Sequence, residues 1–262
     1  MRLSESQRDY AGRVETACQE ICGSEAARRG LSADDTSLNS DEAFRYFAER
    51  DLLGVSLPVE DGGLGRTFTE ECLLLEETTR VGVPILAYAT ALTAAQSYLR
   101  FGSADQRRDV VSVIRHGGVE SITLTEPDAG SDLASVTTSA RRDGDAWVID
   151  GRKTWISFAH LARHLLVLAR SDPTGDRHDG LTLLMVPTDT PGVEIRPIQT
   201  MGAHIVNDVI LTGVRVPHSA VVGLEGEAWR HISRGLAVER LIIAAMSVGA
   251  AQRSLDQVLH FV

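Results

Sequence analysis

The sequence predicts an α+β protein in three stretches: an N-terminal all-helical domain over 1–118, a middle antiparallel β-barrel or β-sandwich domain over 119–225, and a helical segment over 226–262. Three observations carry this. Helix signals run almost unbroken from residue 4 to about 118. After His116-Gly117-Gly118 the apolar period changes from helical to alternating, and from Gly226 it returns to helix. No helices interleave with the strand segments, which argues against a parallel nucleotide-binding sheet.

The first stretch reads as about five helices. Ser40 stands before DEAFRYFAERDLL, Thr67 with Glu70 makes a capping-box pattern ahead of CLLLEETTRV, and Ser103 with Gln106 repeats it ahead of RRDVVSVIRH. LPVEDGGLG is a turn-rich connector, and PILAYATALTAAQSYLRFG reads as a buried, Ala-rich helix ended by Gly102. In the middle stretch, short β-branched and apolar runs separated by Gly, Pro and Asp make six or seven strands, with Asp143-Gly144-Asp145 as a tight hairpin turn. The final helix cannot be stable alone, because helical stability comes mostly from packing one face. Its apolar positions Leu241, Ile242, Ala245, Met246, Val248, Leu255 and Leu259 call for partner helices. It stops without a glycine cap or basic last turn, as a helix interrupted by the chain end would look.

Composition narrows the function classes. With 262 residues, 43% hydrophobic and 24% charged, the chain is an ordinary globular protein long enough for two domains. A formal charge of −10 repels phosphate backbones and anionic lipid, so nucleic acid is excluded as a partner over most of the surface. Cys18, Cys22 and Cys72 are too few and too oddly spaced for a disulfide framework or a zinc site. No signal peptide or membrane-spanning run is found, and the expectation is a reduced, cytoplasmic protein.

Several motifs fail on their spacing. Gly62-Gly63-Leu64-Gly65 follows no parallel strand and does not fit G-x-G-x-x-G. His160 and His164 are four apart without a third ligand, so hydrogen-bonded histidines are expected and no metal. No G-x-S-x-G, H-E-x-x-H or C-x-x-C occurs.

Two stretches are informative. Thr125-Glu126-Pro127-Asp128-Ala129-Gly130-Ser131-Asp132 closes a strand, and Gly151-Arg152-Lys153-Thr154-Trp155-Ile156-Ser157 follows one hairpin later. Together they resemble the two signature stretches of the acyl-CoA dehydrogenase family of flavoproteins. LPVEDGGLG, EETTR, FGSADQRRDVV and RVPHSAVVGLEGEAW agree with that family in order and spacing, so the resemblance spans essentially residues 4–262.

The resemblance implies a helical domain, a β domain and a C-terminal four-helix bundle, of which 226–262 is the first helix. It implies FAD as cofactor and the α,β-dehydrogenation of an acyl thioester to its 2-enoyl form. A carboxylate base takes the α-proton and the β-hydrogen leaves as hydride to flavin N5. Carried onto this sequence, Ile122, Leu124, Thr125 and Gly130 line the flavin, with small residues letting the backbone approach it. Ser131 falls near the pyrophosphate and the substrate's pantetheine arm. Trp155 packs on the isoalloxazine, Ile156 belongs to the same cofactor stretch, and Ser157, usually Thr, bonds near N5. Glu239, in a Glu-Arg pair, matches the base position of the isovaleryl and long-chain branches, where burial would raise its pKa toward neutrality. Ala237, Val238 and Arg240 would lie on the substrate side. An electron acceptor such as an electron-transfer flavoprotein, and a homo- or hetero-oligomer, are further implications.

This sequence departs from the family twice. Ala203-His204-Ile205-Val206-Asn207 replaces a longer stretch with an arginine, and Phe158 stands where Asn is usual. The acyl group is therefore open, and a carrier-bound acyl thioester is an alternative to acyl-CoA. A non-catalytic or partner subunit of the same fold, and a flavin monooxygenase, are the competing expectations; the intact Trp155 stretch and Glu239 argue against the monooxygenase.

Overall fold

The computed structural model describes residues 3–31, 38–174 and 176–261, and only the backbone of 233–237 and 261. Six α-helices come first: α1 (Glu5–Cys22), α2 (Glu25–Leu31), α3 (Asp41–Ala48), α4 (Phe68–Val81), α5 (Ala87–Phe101) and α6 (Ala104–Arg115). Strands β1 (Val119–Thr123), β2 (Ser139–Asp143), β3 (Ala146–Ser157), β4 (Ala162–Arg170), β5 (Leu181–Pro187), β6 (Val193–Pro197), β7 (Val206–Pro217) and β8 (Val221–Val222) follow, and α7 (Ala228–Phe261) closes the described chain. They form two compact units, one of residues 1–89, 114–117 and 237–262, the other of 90–113 and 118–236.

In the first unit, α1 buries Tyr10, Val14, Ala17, Cys18 and Cys22, a helical stripe from which water is excluded. Phe44 and Phe47 of α3 and Leu74 and Leu75 of α4 complete this core. Glu71 of α4 lies inside it, accepting from Ser56 N at 3.0 Å, from Ser56 Oγ at 2.7 Å and from the Tyr88 hydroxyl. Burial pushes its carboxyl up, against these donors. The cap expected at Ser40 forms, its side chain accepting from Ala43 N. The Thr67 box does not: its hydroxyl donates to the Glu70 carboxylate instead of serving the helix backbone. A further box, Ser4 with Gln7, opens α1 without having been among the expected ones. In the connector, a side chain at Gly63 would meet the Leu57 carbonyl oxygen at 2.2 Å, so the glycines serve a tight turn and not a phosphate loop.

From residue 237 onward α7 also belongs to this unit. Ile242 is buried, and Gly249 lets the helix backbone approach α4, since a Cβ there would lie 2.1 Å from the Glu76 carbonyl oxygen. Leu241, Val248, Leu255 and Leu259, expected to need partners, are 51–67% exposed. No helix among the described residues is long and apolar enough to cross a membrane.

The second unit is built on one eight-stranded sheet in the order β6-β7-β3-β2-β4-β5-β8, with β1 paired to β4. The hairpin at Asp143-Gly144-Asp145 forms as expected, with Gly144 at φ +61° joining β2 to β3. The sheet is mixed and not wholly antiparallel: β1 runs parallel to β4, and β2 touches β4 in parallel through Ser139 and Arg170. The alternating pattern cannot reveal this, because strand direction depends on the path between strands and not on which residues face inward. Leu165 to Ala169 of β4 and Leu181 to Val186 of β5 are shielded on both faces, explaining their continuous apolar runs. Helix α6 is fastened within this unit by the Ser103–Gln106 box, and Gln106 Nε2 donates to the Ser219 and Val221 carbonyls at 2.9 and 3.1 Å.

Candidate functional site

The two signature stretches meet at a buried ion pair. Lys153 Nζ lies 2.9 Å from Glu126 Oε1 and donates to the Leu124 carbonyl at 2.9 Å. Glu126 also accepts from Thr137 N, Thr137 Oγ1 and Thr138 N at 2.7–2.9 Å. Burial alone would raise its carboxyl, but the Lys153 ammonium and these donors outweigh it and hold the carboxyl at about 2. Burial draws the Lys153 ammonium below its ordinary range, with Glu126 opposing. A further bond joins the stretches, Thr154 N to the Thr125 carbonyl at 2.9 Å, and Ser121 Oγ of β1 donates to the Ser157 carbonyl at 2.8 Å.

This knot shapes an outward face. On β1 the polar Ser121 and Thr123 are buried while the apolar Ile122 is half-exposed, and Leu124 just beyond the strand is half-exposed too, the reverse of what folding alone favours. Across the knot, Trp155 is 59% exposed and holds φ at +59°. The register of β3 against β7 shifts between Lys153 and Ile156, and such a bulge re-aims a side chain. Gly130 and Ser131 are exposed, and nothing lies within 4 Å of a Cβ built on Gly130. Partly exposed aliphatic side chains, an outward tryptophan and an open glycine suit a flat heteroaromatic ring, so the residues present fit a flavin.

The structure thus brings Ile122, Leu124 and Thr125 together with Trp155 and half-exposed Ser157. Ile156 differs: its side chain is buried and its carbonyl accepts from Asn207 Nδ2 at 3.0 Å, so it supports the face from behind. The two departures from the family pattern are neighbours, Phe158 N donating to the Ile205 carbonyl at 2.7 Å. Phe158 holds φ at +54°, a conformation asparagine tolerates better than phenylalanine.

Val238 and Glu239 are half-buried and Arg240 exposed on α7, in the first compact unit. Glu239 and Arg240 are successive helical residues and so point in different directions. The side chain of Ala237 lies outside the described residues. Sequence reasoning missed Glu126, Lys153 and Asn207 as the residues that shape the face. A Glu in one motif and a Lys in the other were the available signal, but their burial and pairing are long-range outcomes of the fold.

His164 is buried and His160 is exposed, and both are hydrogen-bonded. His164 Nδ1 lies 2.8 Å from Glu120 Oε1, and His160 Nδ1 lies 3.1 Å from Asn207 Nδ2. Among the described residues no group of three or more His, Cys, Asp or Glu could hold a metal ion.

Known proteins share the sequence pattern and the fold of this chain. The family profile described as acyl-CoA dehydrogenase, N-terminal domain, matches residues 4–117, and that of the acyl-CoA dehydrogenase middle domain matches 121–214. "Acyl-CoA dehydrogenase IpdE1" of Mycobacterium tuberculosis is 36% identical over 230 residues, covering 84% of this chain and 59% of that protein. Among solved structures, "Tcur3481-Tcur3483 steroid ACAD" superposes with a TM-score of 0.87 at 31% identity, over 99% of this chain and 67% of that one. The glutaryl-coenzyme A dehydrogenase glutaryl-CoA complex gives 0.88 at 27% identity, again over 99% and 67%. The chain spans about three-fifths of IpdE1's length, and over the helical and β parts that it shares with these proteins it belongs to the acyl-CoA dehydrogenase family.

Proposed function

We propose that this chain carries the flavin-facing part of an FAD-dependent dehydrogenase that converts an acyl thioester to its 2-enoyl form. The observation that supports it best is the face built on the Glu126–Lys153 pair, with Trp155 turned outward beside half-exposed Ile122 and Leu124. FAD, when bound, supplies the hydride acceptor. Ile122, Leu124 and Thr125 would hold one side of its ring system and Trp155 would cover it and keep water out. The Ser157 hydroxyl would donate to the ring's polar edge, and Gly130 and Ser131 would admit and bond the pyrophosphate. The Glu239 carboxylate would take the α-proton of the thioester, with Arg240, Val238 and Ala237 on the substrate side. The division at 118/119 and 225/226 and an electron-transfer flavoprotein as acceptor are parts of the same proposal.

A second reading, as one subunit of a hetero-oligomer, draws support from the paired designation of the Tcur3481-Tcur3483 relative and from the exposed apolar side chains of α7. The substrate arm stays general: acyl-CoA or an acyl group on a carrier protein, which parallel turnover assays separate. The visible spectrum of the purified protein tests the main reading. A bound flavin that bleaches anaerobically on adding acyl thioester is expected, with Glu239→Gln abolishing bleaching while keeping the flavin. A colourless chain that gains flavin only with a partner favours the second reading, and an unchanged reduction rate in Glu239→Gln excludes that residue as base.

A further inference from the structure

Asn207 occupies the point where β7 faces the irregular end of β3. It pairs with Ile156 directly after the register shift, and its side chain is fully enclosed. Nδ2 donates to the Ile156 carbonyl at 3.0 Å and to His160 Nδ1 at 3.1 Å, while Oδ1 accepts from His204 Nε2 at 2.9 Å. The His160 and His204 rings stack at 3.9 Å with 14° between their planes. These partners leave the amide one orientation, because a flip would set its oxygen against the Ile156 carbonyl oxygen. At 3.1 Å the second N–H meets His160 Nδ1 as an acceptor, which the neutral imidazole supplies, with the Ile205 carbonyl farther off at 3.4 Å. Partial desolvation and the neighbouring His204 lower His160 from its ordinary range, in the same direction, although both rings stand at the surface.

The carbonyl that Asn207 holds belongs to the residue between Trp155 and Ser157. The segment around it is strained, Trp155 and Phe158 both being left-handed at φ +59° and +54°. Each such residue carries a cost for its Cβ, and the shape persists only where the surroundings over-determine it. The Thr125 and Ile205 carbonyls hold the N–H groups of Thr154 and Phe158, and Asn207 ties the middle.

We infer that Asn207, its amide locked by His160 and His204, is a positioning residue that keeps the Trp155–Phe158 segment in the shape presenting Trp155 and Ser157 to the flavin. The presentation half rests on the proposed flavin-facing role; the positioning half does not. Hydrogen exchange on the protein without added flavin tests the latter, comparing Asn207→Ala and the isosteric Asn207→Asp with the parent, and with unfolding stability measured in parallel. Amides 154–158 are expected to exchange at least tenfold faster in both variants, while β4 and β5 exchange at parental rates once the stability difference is taken into account. A uniform rise across the sheet, or no rise, overturns the positioning role. If the alanine variant does not fold, the aspartate variant decides. In a fluorescence titration with FAD, both variants are expected to bind at least tenfold more weakly. Undiminished affinity overturns the link to the flavin, and a parent that binds no FAD overturns the flavin reading while the exchange result stands.

Discussion

Lys153 and Glu126 stand 27 residues apart in sequence and 2.9 Å apart in space, with both side chains closed off from water. Their pairing welds the start of one signature stretch to the middle of the other. A buried ion pair is costly to form and costlier to break, because removing one partner leaves an uncompensated charge inside.

Breaking the pair is therefore expected to be more harmful than replacing it. Glu126→Gln or Lys153→Met alone should each lower unfolding stability by about 3–5 kcal/mol, and the double variant should lose less than the sum. Urea unfolding of the four proteins gives the cycle. Strict additivity of the two losses would refute the coupling.

The same pair sets an acid limit. Glu126 is held at about 2 in the fold, below the ordinary glutamate value of about 4.3. The folded state therefore binds this proton less tightly than the unfolded chain. The contribution is full above about pH 4.3 and is lost as pH falls through about 2, amounting to about 3 kcal/mol. Urea midpoints measured from pH 6 down to 2.5 should fall more steeply for the parent than for Glu126→Gln; equal slopes would remove Glu126 as the cause.

Trp155 and Trp147 should respond in opposite ways. Trp155 is 59% exposed at φ +59°, whereas Trp147 is 1% exposed in the sheet core. Trp155→Gly relieves left-handed strain while loosening the unfolded chain, so stability should stay within about 1 kcal/mol of the parent. Flavin affinity should drop at least tenfold. Trp147→Ala should cost about 3–5 kcal/mol. A Trp155→Gly protein as unstable as Trp147→Ala would show that Trp155 serves the fold.

Gly151 opens the second signature stretch for a steric reason. A Cβ there would lie 2.4 Å from Thr138 Oγ1 and 2.8 Å from Thr138 Cα, so backbone as well as side chain would have to move. Gly151→Ala should destabilise by about 1–3 kcal/mol, as overpacking does. The pair Gly151→Ala/Thr138→Ala should recover only part of this, since the clash with the Thr138 backbone remains. Thermal unfolding of both variants measures it.

Much of the fold was legible because it is local. The period change at Gly117-Gly118, the Ser40 cap, the Ser103–Gln106 box and the hairpin at Gly144 involve residues a few positions apart, and each forms as expected. Thr67 is the instructive miss, since its box pattern is present but its hydroxyl serves the Glu70 carboxylate. Within the candidate site, the motifs at 125–132 and 151–157 marked two segments that the fold joins, but not the Lys153–Glu126 pair that joins them.

The sequence by itself determined the order of helices and strands, the two motif stretches and the family they resemble, because periodicity, caps and turn chemistry are written in near neighbours. Tertiary structure alone decided that β1 runs parallel to β4 and that Lys153 reaches Glu126. It also decided that Asn207 closes on Ile156 and that Trp155 faces outward in a left-handed conformation. Those contacts join residues far apart in the chain, and the strain at Trp155 persists only because such distant partners meet around it.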